Sequence, residues 1–279
     1  MKLIIRVMKK LFSLLMLISI YTVCFVSCKK DKGNPPLLPP FESMIIDFSN
    51  FSSQSKSAVA ESGIKGVNNS NWEYASKVAR GWETLINSSL EVPLASLKVT
   101  SAYDPGYLSE KTWQWSYSFT ASGQSYKAKL VGEIQSTEVL WKMYITKEGS
   151  GAYTDFLWFE GTSLSDASGG EWVVKESNAS PVELFKINWT ASGSEVSTVK
   201  YEYVKSGNLD GSTIMYGLTG GALNSFYEVY YYESALAKFS DVDIKWSSTT
   251  KNGSVKSADY LLGLTYCWDS NKINVSCSK

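Results

Sequence analysis

Trp113-Gln114-Trp115-Ser116-Tyr117-Ser118-Phe119 decides the fold of this chain. Trp113, Trp115, Tyr117 and Phe119 fall on one face of an extended segment, and Gln114, Ser116 and Ser118 fall on the other. A strict period of two in aromatic and small polar residues is the mark of a β-strand with one face buried and one wet. The same period continues to the C-terminus. Tyr126, Ala128 and Leu130 alternate with Lys127 and Lys129, and Val139, Trp141, Met143 and Ile145 alternate with Leu140, Lys142 and Tyr144. Phe156 to Phe159 is apolar throughout, as expected of a strand covered on both sides. Further strands are predicted at 172–175, 182–190, 196–204, 212–218, 226–232, 242–246, 255–260, 264–268 and 273–277. Short Ser-, Gly- and Asn-rich stretches separate them, such as Ser122-Gly123 and Gly220-Gly221. Lys251-Asn252-Gly253 carries the Asn-Gly signal of a tight type I′ hairpin.

Short connections force neighbouring strands to be antiparallel. About a dozen strands in simple succession make a meander, and a flat meander that long would leave a wet aromatic face and two open edges. The fold expected is mainly β: an antiparallel meander curled into a barrel or half-barrel, with one or two N-terminal helices packed on it. Trp113-Gln114-Trp115, Trp172-Val173-Val174 and Asn188-Trp189-Thr190 each lie beside a turn. That echo is the grammar of hairpins, not a propeller repeat.

Upstream, the period changes. Trp72, Ala75, Val78, Ala79, Trp82, Leu85 and Ile86 recur at helical spacing behind Ser70-Asn71-Trp72-Glu73, a capping-box pattern. Gly81 weakens this helix and is expected to allow close packing. Pro93 suits the first position of a second helix, so the helical segment is expected over about 70–102. Met44 to Phe48 is predicted as a first strand, and 52–69 as a loop.

The N-terminus is of another kind. Lys9-Lys10 precedes an uncharged, mostly apolar run, Leu11 to Val26, and then Ser27-Cys28. A basic start, an apolar centre and a small residue before the cut are the parts of a secretory signal. Ser27-Cys28 resembles the lipobox of bacterial lipoproteins, whose cysteine is acylated and becomes the mature N-terminus. Phe25 departs from the usual aliphatic residue, and Cys24 follows Val23, which is too large for that place. The basic, proline-rich stretch after Cys28 also looks like lipoproteins of Bacteroidota-type bacteria. The resemblance implies a signal peptide over 1–27, lipid attachment at Cys28, a flexible tether over 28–41 and a single β-rich domain over 42–279. It also implies an outer-membrane location outside the cytoplasm. Four of the seven prolines, Pro35, Pro36, Pro39 and Pro40, sit in the tether.

The 279 residues less the 27 before Cys28 leave 252, which suits one large β domain. Those 27 carry four basic residues and no acid, so the remainder holds 23 Lys and Arg against 27 Asp and Glu, a net charge of −4. Arg80 is the one arginine left, which argues against a nucleic-acid or phosphate-binding surface. There is no histidine. That removes Ser-His-Asp and Cys-His catalysis and His-ligated zinc. No cofactor, no metal and no nucleic-acid partner is expected.

Cys267 and Cys277 are the remaining cysteines and are candidates for a disulfide outside the cytoplasm. A hairpin turn at Asp269-Ser270-Asn271-Lys272 would set Cys267 opposite Asn274 and turn Cys277 to the other face. A bridge therefore requires a different turn, for example one centred on Lys272.

Signal, helices and meander together resemble bacterial half-barrel lipid carriers and lipocalin-like lipoproteins, in architecture only. No motif of either family is present, and no functional residue carries over. Three function classes follow. The first is a non-catalytic binder or structural lipoprotein holding an apolar ligand or acyl chain in the curled sheet. The second binds glycans or a protein partner on exposed aromatics. Candidate binding aromatics are Trp113, Trp115, Tyr230 and Tyr232, the last two from a strand with aromatics on both faces. The third is a carboxylate glycoside hydrolase using residues such as Asp155, Glu160, Asp166, Asp241 or Asp243. Nothing sets these acids apart from solvated rim charges, so no catalytic residue is assigned and the protein is not expected to be an enzyme. The membrane, through the N-terminal lipid, is the expected partner.

Overall fold

The computed structural model describes residues 32–52, 68–193 and 195–277. The signal segment, Cys28 and most of the 52–69 loop lie outside the described residues. The chain divides into two compact units, Met1–Asn34 and Pro35–Lys279. In the first, Lys32, Gly33 and Asn34 are described and are exposed. The second begins ahead of the boundary expected at residue 42: Leu38 packs on the core and Pro39 is buried.

Fourteen antiparallel strands form one sheet in sequence order. They are β1 (Gly106–Ser109), β2 (Thr112–Ala121), β3 (Gln124–Ile134), β4 (Glu138–Lys147), β5 (Tyr153–Leu164), β6 (Gly169–Lys175) and β7 (Glu183–Ser192). The order continues with β8 (Glu195–Tyr203), β9 (Thr213–Leu218), β10 (Ser225–Glu233), β11 (Lys238–Trp246), β12 (Gly253–Lys256), β13 (Thr265–Trp268) and β14 (Asn274–Val275). The meander is the one expected. It curls without closing, because β1 and β14 each pair with a single neighbour. One helix, α1 (Ser70–Val99), lies against β2 near one end of the sheet and against β12, β13 and β14 at the other. Thirty helical residues span about 45 Å. The gap that hydrogen bonds leave open is thus crossed by one element tied to both ends.

Each tie is made of named groups. At the far end of α1, the Tyr117 hydroxyl donates to the Ser96 carbonyl at 2.9 Å and lies 2.6 Å from Thr100 Oγ1. At the near end, Asn274 of β14 accepts the Asn71 N–H through Oδ1 at 3.1 Å, and Asn71 Nδ2 donates to the Cys267 carbonyl at 2.9 Å. Asn274 Nδ2 also donates to Asn68 Oδ1 at 2.6 Å and Ser70 Oγ at 3.0 Å. The expected capping box is therefore not what caps α1. Ser70 is already helical, Asn69 makes no side-chain cap, and the orphan N–H of the first turn is satisfied from the last strand.

Pro93 does not start a second helix but sits inside α1. A proline in a helix interior costs about 3 kcal/mol. Here Leu90, Pro93 and Leu97 are all buried on one stripe, which offsets that penalty. A short 3-10 turn, Thr100–Ala102, follows directly.

The segment Met44–Phe48 is not a strand. It follows a 3-10 turn, Phe41–Met44, and runs extended across the inner face of the sheet. Met44, Ile46 and Phe48 keep the burial alternation of a strand. Their backbone carbonyls bond to side chains instead: the Tyr201 hydroxyl donates to the Met44 carbonyl at 2.7 Å, and the Tyr227 hydroxyl donates to that of Asp47. Trp172 Nε1 donates to Ser43 Oγ at 3.1 Å. Phe51 ends the segment, in ring contact with Trp72, Tyr227, Trp246 and Trp268. Segment and helix together fill the concavity.

Glycines set the sheet's close contacts. Gly132, Gly161, Gly170, Gly217 and Gly253 stand directly opposite Trp141, Trp172, Trp189, Phe226 and Trp268 on the next strand. In each case a Cβ would come within 3.0 Å of the facing ring. Gly253 belongs to this set and not to a type I′ turn. The connection it follows is the six-residue loop Ser247–Asn252, with Trp246 paired to Gly253.

Candidate functional site

Successive turns of α1 present Lys77, Gly81 and Leu85 on one flank, since residues four apart stack along a helix. That flank borders a cavity of about 310 Å³. Val78 and Trp82 form its floor, and Leu209 and Ser212, from the β8–β9 connection, close one side. Tyr231 and Glu233 at the end of β10 form the opposite wall. Tyr227, Val229 and Tyr231 share the inner face of β10, so the alternation that buries Tyr227 carries Tyr231 to the rim. The Tyr231 hydroxyl donates to Glu233 Oε2 at 2.9 Å. Burial, followed by that carboxylate, pushes the Tyr231 phenol well above its ordinary range, so it stays a neutral donor. The groove is mostly apolar, with Lys77, Tyr231 and Glu233 as its polar points.

Gly81 has no packing reason to be a glycine. A Cβ built there would meet nothing within 4 Å. The close packing expected of it is absent, and the missing side chain leaves the groove open.

One turn before Lys77, Tyr74 stacks on Tyr260 with centroids 4.2 Å apart. Tyr260 donates to Asn71 Oδ1 at 2.9 Å and meets Tyr266 edge-on. Tyr74 therefore joins α1, one turn before the groove, to the β12–β13 loop. Burial is the chief cause that raises the Tyr74 phenol above its ordinary range. A second hollow, about 240 Å³, lies on the other flank between Met44–Ser49 and Glu83, Ile86 and Asn87.

The residues proposed from sequence are scattered. Trp113 and Trp115 are core, 9% and 2% exposed, against Tyr107 and Trp141. They offer no ligand surface. Tyr230 is 40% exposed on the outer face and stacks on Phe239 at 4.7 Å, whereas Tyr232, which meets the same ring edge-on, is the one proposed aromatic that also lines the groove. Cys267 and Cys277 are joined in a disulfide, Cα atoms 5.2 Å apart. The turn is longer than a four-residue one: Cys267 pairs with Val275, and Lys272 adopts a left-handed φ of 68°. One added residue returns Cys277 to the face of Cys267. The acids do not converge. Asp155 is bound to Lys129 at 2.7 Å, which holds its carboxyl below the usual range. Asp166 bonds its own turn through Ser168. Glu160 faces Lys142, and Asp243 faces Lys256, on the outer side of the sheet.

The groove residues Lys77, Gly81, Leu209, Tyr231 and Glu233 were not singled out by pattern as a site. Gly81 was the available signal, being a mid-helix glycine in an otherwise regular stripe. No protein-family model, curated protein or solved structure matches the chain. Among the described residues no helix is long and apolar enough to cross a membrane, and no group of three metal-ligating side chains occurs.

Proposed function

We propose that this chain is a lipid-anchored binding protein outside the cytoplasm, attached through Cys28, that holds the apolar part of a small ligand without catalysing its conversion. The observation that carries the binding reading is the apolar groove left open by Gly81. Its size falls in the range of small-molecule sites, and Lys77 and Glu233 can orient a polar end. The filled concavity moves the ligand from the centre of the curled sheet to its rim. The anchor is supported by Lys9-Lys10, the apolar run to Val26 and Ser27-Cys28. Native extraction followed by mass spectrometry is expected to find a bound amphiphile, and Gly81→Leu, which fills the groove, is expected to remove it. Cys28→Ala should release the domain from the membrane fraction or leave an unprocessed precursor.

A second reading, a surface protein that binds glycans or a protein partner, draws on one observation. Exposed Tyr230 stacks on half-buried Phe239 beside Asp241. Protein that extracts clean but binds a glycan array through Tyr230 would favour it over the groove.

A further inference from the structure

Leu261, Leu262 and Leu264 in the β12–β13 loop are 63%, 83% and 60% exposed, and Leu236 in the β10–β11 turn is 50% exposed. The two connections are tied side by side. Asp259 accepts from Lys238 and, at 2.6 Å, from Ser240 Oγ. Within the loop, Gly263 N–H donates to the Tyr260 carbonyl at 3.1 Å. Leu261 is held at a φ of 52°, a conformation a leucine rarely adopts unless its surroundings impose it. The leucines are therefore presented outward by a fixed scaffold. Tyr260-Leu261-Leu262-Gly263-Leu264 contains no charge, and Tyr260 and Tyr266 stand directly behind it. Tyr260 of this loop stacks on Tyr74 at 4.2 Å, one turn of α1 before Lys77 and Val78 of the groove, so the leucines stand beside the groove's end.

We propose that this leucine rim docks onto a lipid bilayer and that the groove takes an acyl or other long hydrocarbon chain from it. The proposal deepens the binding reading above and rests on it for the ligand and for the anchor at Cys28. Protein partners are seldom gripped by protruding leucines, since binding energy concentrates in Trp, Tyr and Arg. A leucine tip backed by tyrosines suits the boundary of a bilayer, where the apolar tip enters hydrocarbon and the rings stay at headgroup level. The chain's own length points to the same occupant. The compact unit begins at Pro35, seven residues after Cys28, and seven residues reach at most about 25 Å. A domain tethered that closely to an acylated cysteine keeps some of its surface within contact of the membrane.

The test uses the full chain in vesicles of phosphatidylethanolamine and phosphatidylglycerol. A fluorophore on Leu262→Cys is compared with one on Lys186→Cys, on the outer face of β7, using phospholipids with nitroxide-labelled acyl chains as quenchers. Quenching at 262 several-fold stronger than at 186 is expected. Equal quenching at the two sites, or none at 262, overturns the rim. The triple variant Leu261→Asp, Leu262→Asp, Leu264→Asp is expected to lose at least tenfold in uptake of a pyrene-labelled phospholipid from vesicles. It should still bind N-phenylnaphthylamine supplied from water. Loss of uptake without loss of the soluble probe supports docking. Unchanged uptake refutes it. A wild-type chain that binds no probe, with the labelled Leu262→Cys chain still quenched, removes the groove reading and upholds the rim.

Discussion

Gly161 in β5 and Gly81 in α1 are both glycines inside regular elements, where glycine weakens the backbone by about 0.5–1 kcal/mol relative to alanine. Their surroundings are opposite. A Cβ on Gly161 would stand 2.0 Å from the Glu171 carbonyl oxygen and 2.8 Å from the Trp172 ring. One on Gly81 would meet open space. The first glycine is demanded by the approach of two strands and the ring laid across them. The second is demanded by nothing in the fold. The pair separates two uses of the residue: the sheet spends its glycines on contact, and the helix spends one on a void.

The largest expected effect breaks the contact side. Gly161→Ala should destabilise the domain by about 3 kcal/mol or more, because a backbone carbonyl and not a movable side chain blocks the methyl. Gly132→Ala is the graded control. There the obstacle is the Trp141 ring at 2.6 Å, which can tilt, so a loss of about 1–3 kcal/mol is expected. Denaturant unfolding of both variants checks the order. If Gly132→Ala proves the worse of the two, ring contact and not strand approach sets the sheet's curvature.

A smaller effect probes whether α1 and the sheet act as one body. Asn274→Ala removes the acceptor for the Asn71 N–H and the bonds to Asn68 and Ser70. A loss of about 1 kcal/mol is expected, the usual worth of a helix cap. The loss should appear as faster amide exchange in the first turns of α1, with β2 to β8 unchanged. Exchange that rises across the whole sheet would show that the near end of the helix holds the curl in place.

The legibility of these features in sequence follows the same division. The meander was readable because half-buried strands must alternate, and Trp113 to Phe119 do so without interruption. The helical stripe was readable for the corresponding reason. Elements that alternate for other partners misled. Met44, Ile46 and Phe48 point inward like a strand, yet their backbone is satisfied by tyrosine hydroxyls from strands more than 150 residues away. Asn274 as a cap for Asn71 is separated from it by 203 positions, and no local pattern announces it. β1 was missed because Tyr107 is the one partly buried residue of Gly106–Ser109, too few for an alternation to show. The groove draws on α1, the β8–β9 connection and β10, and its shape is a fact of tertiary packing. A mid-helix glycine can be seen in the sequence. Whether it admits a neighbour or a void cannot.

The smallest effect separates those two meanings directly. Gly81→Ala adds one methyl where no atom stands within 4 Å. If Gly81 served close packing, the variant would lose stability, as the sheet glycines do. With open space beside it, alanine should raise stability by about 0.5–1 kcal/mol through helix propensity alone. The same methyl projects into the groove, so affinity for an apolar probe should fall by a few-fold while the melting temperature rises. Opposite signs in the two measurements are what a glycine kept for a ligand requires. A rise in both would mean the groove does not reach Gly81, and a fall in both would mean that the helix packs there after all.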